Sequence, residues 1–550
     1  MNDEAALLAA ITAHADEDTP RLAYADWLDE NQPDGKPSPV SGPSARAEYI
    51  RVQCRLAQRP YDDPEYPALR EREEELSHWL DVHGGTGPAD SFEIPGDLEW
   101  YDRFTHGDDG VYRRGFPEEL AFTDYDEEPE ENIERIVSAL PVAFATSTVR
   151  ALRLEEVYGA EVAGIVSDPV AAGLRGLSLD YIDDGDETTA IRAIAKTKHL
   201  TGLQRLRLEF SITDTDLKRL AKASLDSLEE LVLDEFTPIG GKALGAARWF
   251  RSLRVLQVGM ENRDALRAIG ELPVMPSLVA FTFPGDTAPT TTAVRKFIAS
   301  SSFPRLNYLE FMHAPLSPEQ VVVLSRGTWP LRHLKLHNVD VRKAGAEALA
   351  SASFAESLRV LDLSDCEITA GGIQALAGSA KFAGLLHLDL SDNPIGPGGL
   401  LALARSPHLR GLRKLSLHGC NSTKAPIDSA ALLNFLTALE MPELRHLSLT
   451  DLPVGVRGAK AIAAGGTFAN LTRLDLANCG LREKGARAIV ESPALGNLTV
   501  LDLSGNNAGR GITKLANPKT FPRLGHCDLN RNRPPKGWLA RLRKRRGVSV

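Results

Sequence analysis

Hydrophobic positions along this chain recur in one short phrase, clearest in Leu358–Ile368 (LRVLDLSDCEI) and Leu385–Ile395 (LLHLDLSDNPI). Each copy runs Leu-x-x-Leu-x-Leu-x-x-Cys/Asn-x-Ile, and the two start 27 residues apart. The apolar first, fourth and sixth places point one way from a short strand, Cys366 or Asn393 turns the chain, and Ile368 or Ile395 returns to the interior. From Val149 the phrase recurs fifteen times at intervals of 25 to 32 residues, with units starting at Val149, Leu174, Leu203, Leu228, Leu253, Leu278, Leu306, Leu331, Leu358, Leu385, Leu412, Leu444, Leu471, Leu498 and Leu524. Early copies are degraded (Leu278-Val-Ala-Phe281-Thr-Phe283) and late ones sharp. Helical phrases lie between the late copies: Gly345–Ala350, Gly458–Ala463 and Gly485–Val490. One such unit cannot bury its apolar face alone, so the pattern predicts stacked strand–turn–helix units sharing one long core.

The phrase resembles a leucine-rich repeat, and its alternation with helices resembles the ribonuclease-inhibitor type. That resemblance implies an α/β solenoid, a leucine-rich-repeat horseshoe with a parallel concave sheet and convex helices, preceded here by a small all-α domain.

The N-terminal pattern is helical. Leu7, Leu8 and Ile11 follow helical spacing behind Asp3, a capping residue. Asp18-Thr19-Pro20 predicts the next start, with Leu22, Ala25 and Leu28 on one face beside Tyr24 and Trp27. Residues 31–44 are a Pro/Gly/Ser loop. A third helix over Ala45–Gln58 turns Ile50 and Leu56 inward, and a charged fourth covers Leu69–Leu80. The stretches Asp18-Thr-Pro-Arg-Leu-Ala-Tyr-Ala-Asp-Trp-Leu28 and Arg46-Ala-Glu-Tyr-Ile-Arg51 resemble the bacterial repeat-companion domain, whose members precede repeat arrays; the loop at 31–44 is longer than the usual link. The expected domains are 1–80, the helical companion; 81–148, an acidic linker and N-terminal cap with a lead-in strand and helix from Arg113; 149–530, the repeats; and 531–550, a basic C-terminal cap or tail.

Composition changes this picture in three ways. Of 550 residues, 43% are hydrophobic and 25% charged, as in an ordinary soluble protein. The acidic start lacks the basic flank and cleavage site of a secretory signal, and no apolar run approaches the roughly 18 residues of a membrane span, so a cytoplasmic protein with no membrane span is expected. The Asn421, Asn470 and Asn497 glycosylation patterns then carry no weight. The net charge of −11 is split: residues 1–150 carry 34 acidic and 13 basic side chains, the rest 40 and 50. Five cysteines suggest no disulfide framework. Cys366, Cys420 and Cys479 fall at ninth places and Cys527 at a fourth, where a free thiol serves as a small hydrophobe.

Third, fifth and seventh places project from the concave sheet. The candidate partner-binding residues there are Arg207, Tyr308, Glu310, His333, Lys335, His337, Asp362, His387, Asp389, Lys414, His418, His446, Arg473 and Asp475. Their varied polarity suits a protein partner, although such side chains also simply keep a sheet soluble. His333, His387 and His446 stand on alternate strands, too far apart to converge on one ion, so no metal is expected. Asp362 and Asp389 would lie on adjacent strands, but an open sheet offers no burial to raise a carboxyl pKa, so no catalytic residues are expected. No phosphate loop, His-Glu-x-x-His or nucleophile elbow appears, and no cofactor is implied. Tyr24 and Trp27 are expected in the helical core rather than on a docking surface. Arg541–Arg546 ends a tail with eight basic and no acidic residues, and Trp538, Leu539 and Leu542 are placed to cap the last repeat. The expected function is a monomeric, non-enzymatic scaffold binding an unidentified protein on the concave face. The rivals are a regulator of a partner enzyme, such as a nuclease or GTPase, and a binder of nucleic acid or anionic surfaces through the tail.

Overall fold

The computed structural model describes residues 3–15, 17–31, 45–58, 69, 70, 72, 73, 76, 112–113, 116–117, 119–123, 129–182, 185–259, 262–517, 519–538 and 542. The chain forms two compact units, Met1–Gln32 with Arg46–Leu309, and Pro33–Ala45 with Glu310–Val550. In each, parallel strands alternate with helices in chain order, so the architecture is an α/β solenoid. All fifteen unit starts read from the sequence are followed two residues later by a strand, from Ala151–Val157 to His526–Asp528. A further strand, Glu119–Thr123, precedes them and pairs Leu120 with Leu152 in parallel. Of the predicted loop at 31–44 only Asn31 is described, and most of the charged helix at 69–80 and residues 81–110 of the acidic linker lie outside the described residues.

The first unit begins with helices Asp3–Ala13, Thr19–Glu30 and Ala45–Gln58. Ile11, Tyr24, Ala25, Ala47, Ile50 and Cys54 close their core, and Phe116 enters it from the lead-in segment. Tyr24 is fully buried, 5.8 Å from Phe116 and stacked at 5.8 Å on Trp27. Two local expectations need correction. Asp18 does not cap the second helix with its side chain; its Oδ2 accepts from Gln58 Nε2 at 2.5 Å, tying that helix to the third. Leu56 is only half-buried, and Cys54 fills the inward place instead. The helix Asp3–Ala13 also packs against Pro129–Thr146, the helix following the lead-in strand, so the module docks on the start of the repeats. Beyond it, strands Ala151–Val157, Gly176–Ile182, Arg205–Glu209, Glu230–Leu233, Val255–Val258 and Ala280–Pro284 pair in turn.

In the second unit eight strands pair in strict register, from His333–His337 to His526–Asp528. Inward leucines such as Leu361, Leu388, Leu415 and Leu447 are buried against helices including Arg342–Ser351, Ala370–Gly378 and Gly455–Ala463. The helical phrases begin with Gly because neighbouring helices approach closely: a Cβ on Gly345 would lie 2.9 Å from Val321 Cγ1. After each strand the chain must turn sharply, and the eighth place has positive φ in every repeat of this unit from Asn338 (+54°) through Asp365, Asp392, Gly419, Asp451, Asn478 and Gly505. Asn, Asp and Gly tolerate that left-handed conformation best, which accounts for their choice.

Ninth places tie one repeat to the next. Asn393 Nδ2 donates to the carbonyls of Leu363 (2.7 Å), Leu390 (2.9 Å) and Ser391 (3.0 Å), while Oδ1 accepts from the Cys366 (3.1 Å) and Ile368 (2.8 Å) amides. Asn506 and Asn532 repeat this arrangement. The Cys366, Cys420 and Cys479 thiols are buried and donate to the carbonyls of Leu336, Leu390 and Leu449, so these cysteines also bond where pure apolar filling was expected. Burial raises their pKa values, that of Cys420 to about 12, leaving them inert thiols. Trp538 is buried and donates from Nε1 to the Thr513 carbonyl (3.0 Å), and Leu542 is buried, as capping requires; Leu539 lies outside the described residues.

Candidate functional site

The strand register sorts the sheet face opposite the helices into rows. In the second unit the third places read His333, Val360, His387, Lys414, His446, Arg473, Val500 and His526. Fifth places read Lys335, Asp362, Asp389, Ser416, Ser448, Asp475, Asp502 and Asp528, with Glu310 before them. His333, His387 and His446 therefore do occupy alternate strands of one row. They are not equally open: His333 is 5% and His446 6% exposed, and Asp475 8%, whereas Lys335, His337, Asp362, His387, Asp389, Lys414, His418 and Arg473 are half-buried.

Side chains in these rows hold one another. His446 Nε2 lies 3.0 Å from Asp475 Oδ2, and Arg473 Nε reaches the same oxygen at 3.0 Å. Burial lowers the His446 pKa to about 4 despite the carboxylate, so the ring is neutral and donates its Nε2 proton. Burial would raise Asp475, but the His446 and Arg473 contacts hold it at about 2. His387 falls to about 3, through burial first and then the Lys414 charge. Lys335 pairs with Glu310 at 3.7 Å, and His337 Nδ1 meets Ser364 Oγ at 2.8 Å. His418 Nδ1 is 3.8 Å from Asp451.

The fifth-place aspartates have a local duty. Asp362 Oδ1 accepts from the Ser364 amide (2.9 Å) and hydroxyl (2.7 Å), and Asp389 Oδ1 from the Ser391 amide (2.9 Å). Asp502 and Asp528 do the same for Ser504 and Asn530. Each carboxylate thereby steadies the turn after its strand. The expectation that this face leaves carboxyls at ordinary pKa values is also corrected. Burial raises Asp389, and the adjacent Asp362 charge raises it further; burial likewise raises Asp502. The rows crowd one another enough to exclude much of the water.

In the first unit Arg207 lies 3.9 Å from Glu230 and 4.0 Å from Glu209, and Tyr308 is half-buried at a third place. A more buried network sits beside them, unmarked by any motif. Arg153 Nε donates to Glu119 (2.8 Å) and Nη1 to Asp180 (2.6 Å), with Arg153 and Glu119 both 6% exposed. Burial raises Asp180 and Glu209. Sequence reasoning missed Glu119 because it lies on the lead-in strand, one strand ahead of the first full phrase; the Arg153–Asp180 spacing of 27 residues was the available signal.

Three segments match the family described as Leucine Rich repeat, at residues 355–377, 385–404 and 469–490. The chain thus carries leucine-rich repeats, and with its parallel strands and backing helices it forms a leucine-rich-repeat solenoid. No match is found among curated proteins. Among solved structures, a chain in a crystal structure of the yeast Rad7 and Elc1 complex is 14% identical, with a TM-score of 0.36, covering 84% of this chain and 88% of that one. A Bacteroides fragilis protein is also 14% identical, with a TM-score of 0.30, covering 56% of this chain and 76% of that one. Among the described residues no helix is long and apolar enough to cross a membrane.

Proposed function

We propose that this protein is a recognition scaffold that binds a protein partner on the sheet face of its second unit. The supporting observation is the register-locked pair of rows, in which the cations Lys335 and Lys414, the carboxyls of Asp362 and Asp389 and the neutral ring of His387 stand at fixed places on paired strands. Rigid strands hold the pattern at little entropic cost on binding. His333, His446 and Asp475 act beneath this surface, fixing its shape rather than meeting the partner. A cytoplasmic bacterial protein of the repeat-companion type, with a ribonuclease-inhibitor-like array, fits this reading.

The test must respect the turns. Reversing Asp362 and Asp389 would remove their bonds to the following amides, so the informative variant is Lys335→Glu with Asp362→Asn and Asp389→Asn, which keeps an oxygen acceptor. A partner captured with the wild-type chain should bind this variant at least tenfold more weakly while the melting temperature is retained. Unchanged affinity would remove this face from the interface.

A further inference from the structure

One row of the second unit lies just outside the strands and was not among the candidate positions. Second places, immediately before each strand, read Arg332, Arg359, Leu386, Arg413 and Arg445. The backbone holds them in line: the amides of Arg359, Leu386, Arg413 and Arg445 donate to the carbonyls of Arg332, Arg359, Leu386 and Arg413 at 2.7 to 2.9 Å. Lys414 opens the strand that follows Arg413. At about 4.8 Å per strand the row extends roughly 19 Å.

Among the described residues these five cations have no carboxylate within 4 Å, so their charge is not cancelled locally. Some other cations of the unit are paired: Arg410 with Glu440, Lys424 with Glu367, Arg342 with Asp340, Arg487 with Glu483 and Lys514 with Glu491. Arg359 Nη1 reaches only backbone carbonyls, the nearest that of Leu358 at 2.9 Å. Its pKa is lowered, by burial first and then by the like charge of Arg332. The wider field has the same sign, since residues 310–550 carry 31 basic and 19 acidic side chains.

We propose that Arg332, Arg359, Arg413, Arg445 and Lys414 form a strip that binds the phosphate backbone of a nucleic-acid strand. Charge complementarity selects a polyanion, and the regular spacing of the cations along roughly 19 Å suits a strand of regularly spaced phosphates. Phosphate contacts supply affinity without reading sequence.

The experiment uses the full chain and a fluorescein-labelled, mixed-sequence single-stranded DNA 20-mer, with anisotropy followed against NaCl. Five phosphate contacts give a slope of log affinity on log salt of about −3.5, or roughly 100-fold weakening between 50 and 200 mM. Arg332→Gln, Arg359→Gln, Arg413→Gln and Arg445→Gln together should abolish most binding and flatten the slope to about −0.7. The four Arg→Lys changes should retain the slope, and the pair Arg413→Gln/Arg445→Gln, at the more open end, should reduce it to about −2.1 if the quadruple variant fails to fold. Gln at Arg541, Arg543, Lys544, Arg545 and Arg546 should leave the arginine dependence intact. The proposal is overturned if the wild-type chain does not bind at 50 mM salt, if the Gln variants bind with unchanged slope, or if poly-glutamate binds as tightly through the same arginines.

Discussion

At the scale of single residues, buried polar side chains close the bends between strand and helix, which apolar filling cannot do. Asn393 makes five bonds across two repeats, so Asn393→Ala should cost at least about 3 kcal/mol, since several buried amide and carbonyl groups lose their partners. A urea midpoint that barely moves would show that water replaces the side chain. Asp389 behaves oppositely. Its carboxylate is held above the usual range by burial and by Asp362, so its ionisation opposes folding at neutral pH. Asp389→Asn keeps the acceptor for Ser391 and removes the repulsion; its melting temperature should equal or exceed that of the wild type at pH 7, with the advantage vanishing in acid. The histidines set the acid limit. His446 and His387 remain neutral in the folded chain down to about pH 4 and 3, whereas the unfolded chain takes up protons below its ordinary value near 6.5. Stability is therefore full above that value and is lost as pH falls through the window, by up to about 1.4 kcal/mol per pH unit for each ring. His446→Asn with His387→Asn should flatten chemical-denaturation midpoints between pH 6.5 and 4.

At the scale of elements, spacing is what the packing reads. Leu361→Ala or Leu388→Ala removes a buried side chain between strand and helix and should cost roughly 2–5 kcal/mol. Helix contacts are equally tight. A Cβ on Gly270 would meet the Lys296 backbone at 2.7 Å, so Gly270→Ala should destabilise by about 1–3 kcal/mol despite the better helix propensity of Ala. The fifteen repeat strands were legible from leucine periodicity, even where Phe281 and Phe283 replace leucines, because the alternation survives a change of residue. The turn itself was expected at Cys366 and Asn393, but the left-handed residue is the one before, Asp365 or Asp392, and the ninth place is buried to tie the bend together. The rows themselves were readable because places three, five and seven fix a face. How buried each side chain would be was not, because burial at His333, His446 and Asp475 depends on the neighbours that register brings beside them. The second-place arginines escaped notice because they precede the strand and belong to no alternation.

At the scale of the whole molecule, charge and docking are segregated. Phe116 joins the N-terminal helices to the lead-in strand of the first unit, under Tyr24 and with the Arg21 guanidinium 5.7 Å from its ring. Phe116→Ala should raise hydrogen exchange across Asp3–Ala13 and Thr19–Glu30 while leaving the second unit's strands protected. Equal protection in the wild type and the variant would mean that the helices hold without it.

The ninth-place asparagines also give the array a direction. Asn393 satisfies amides of the copy before it, and Asn532 those of Asn506 and Ala508, so these bends are finished by the copy that follows. Trimming back to either bend would strip it of that closure, whereas duplicating the copy that carries the asparagine would supply a new one ready-made. Lengthening from within is therefore the cheaper route by which such a chain can acquire recognition surface.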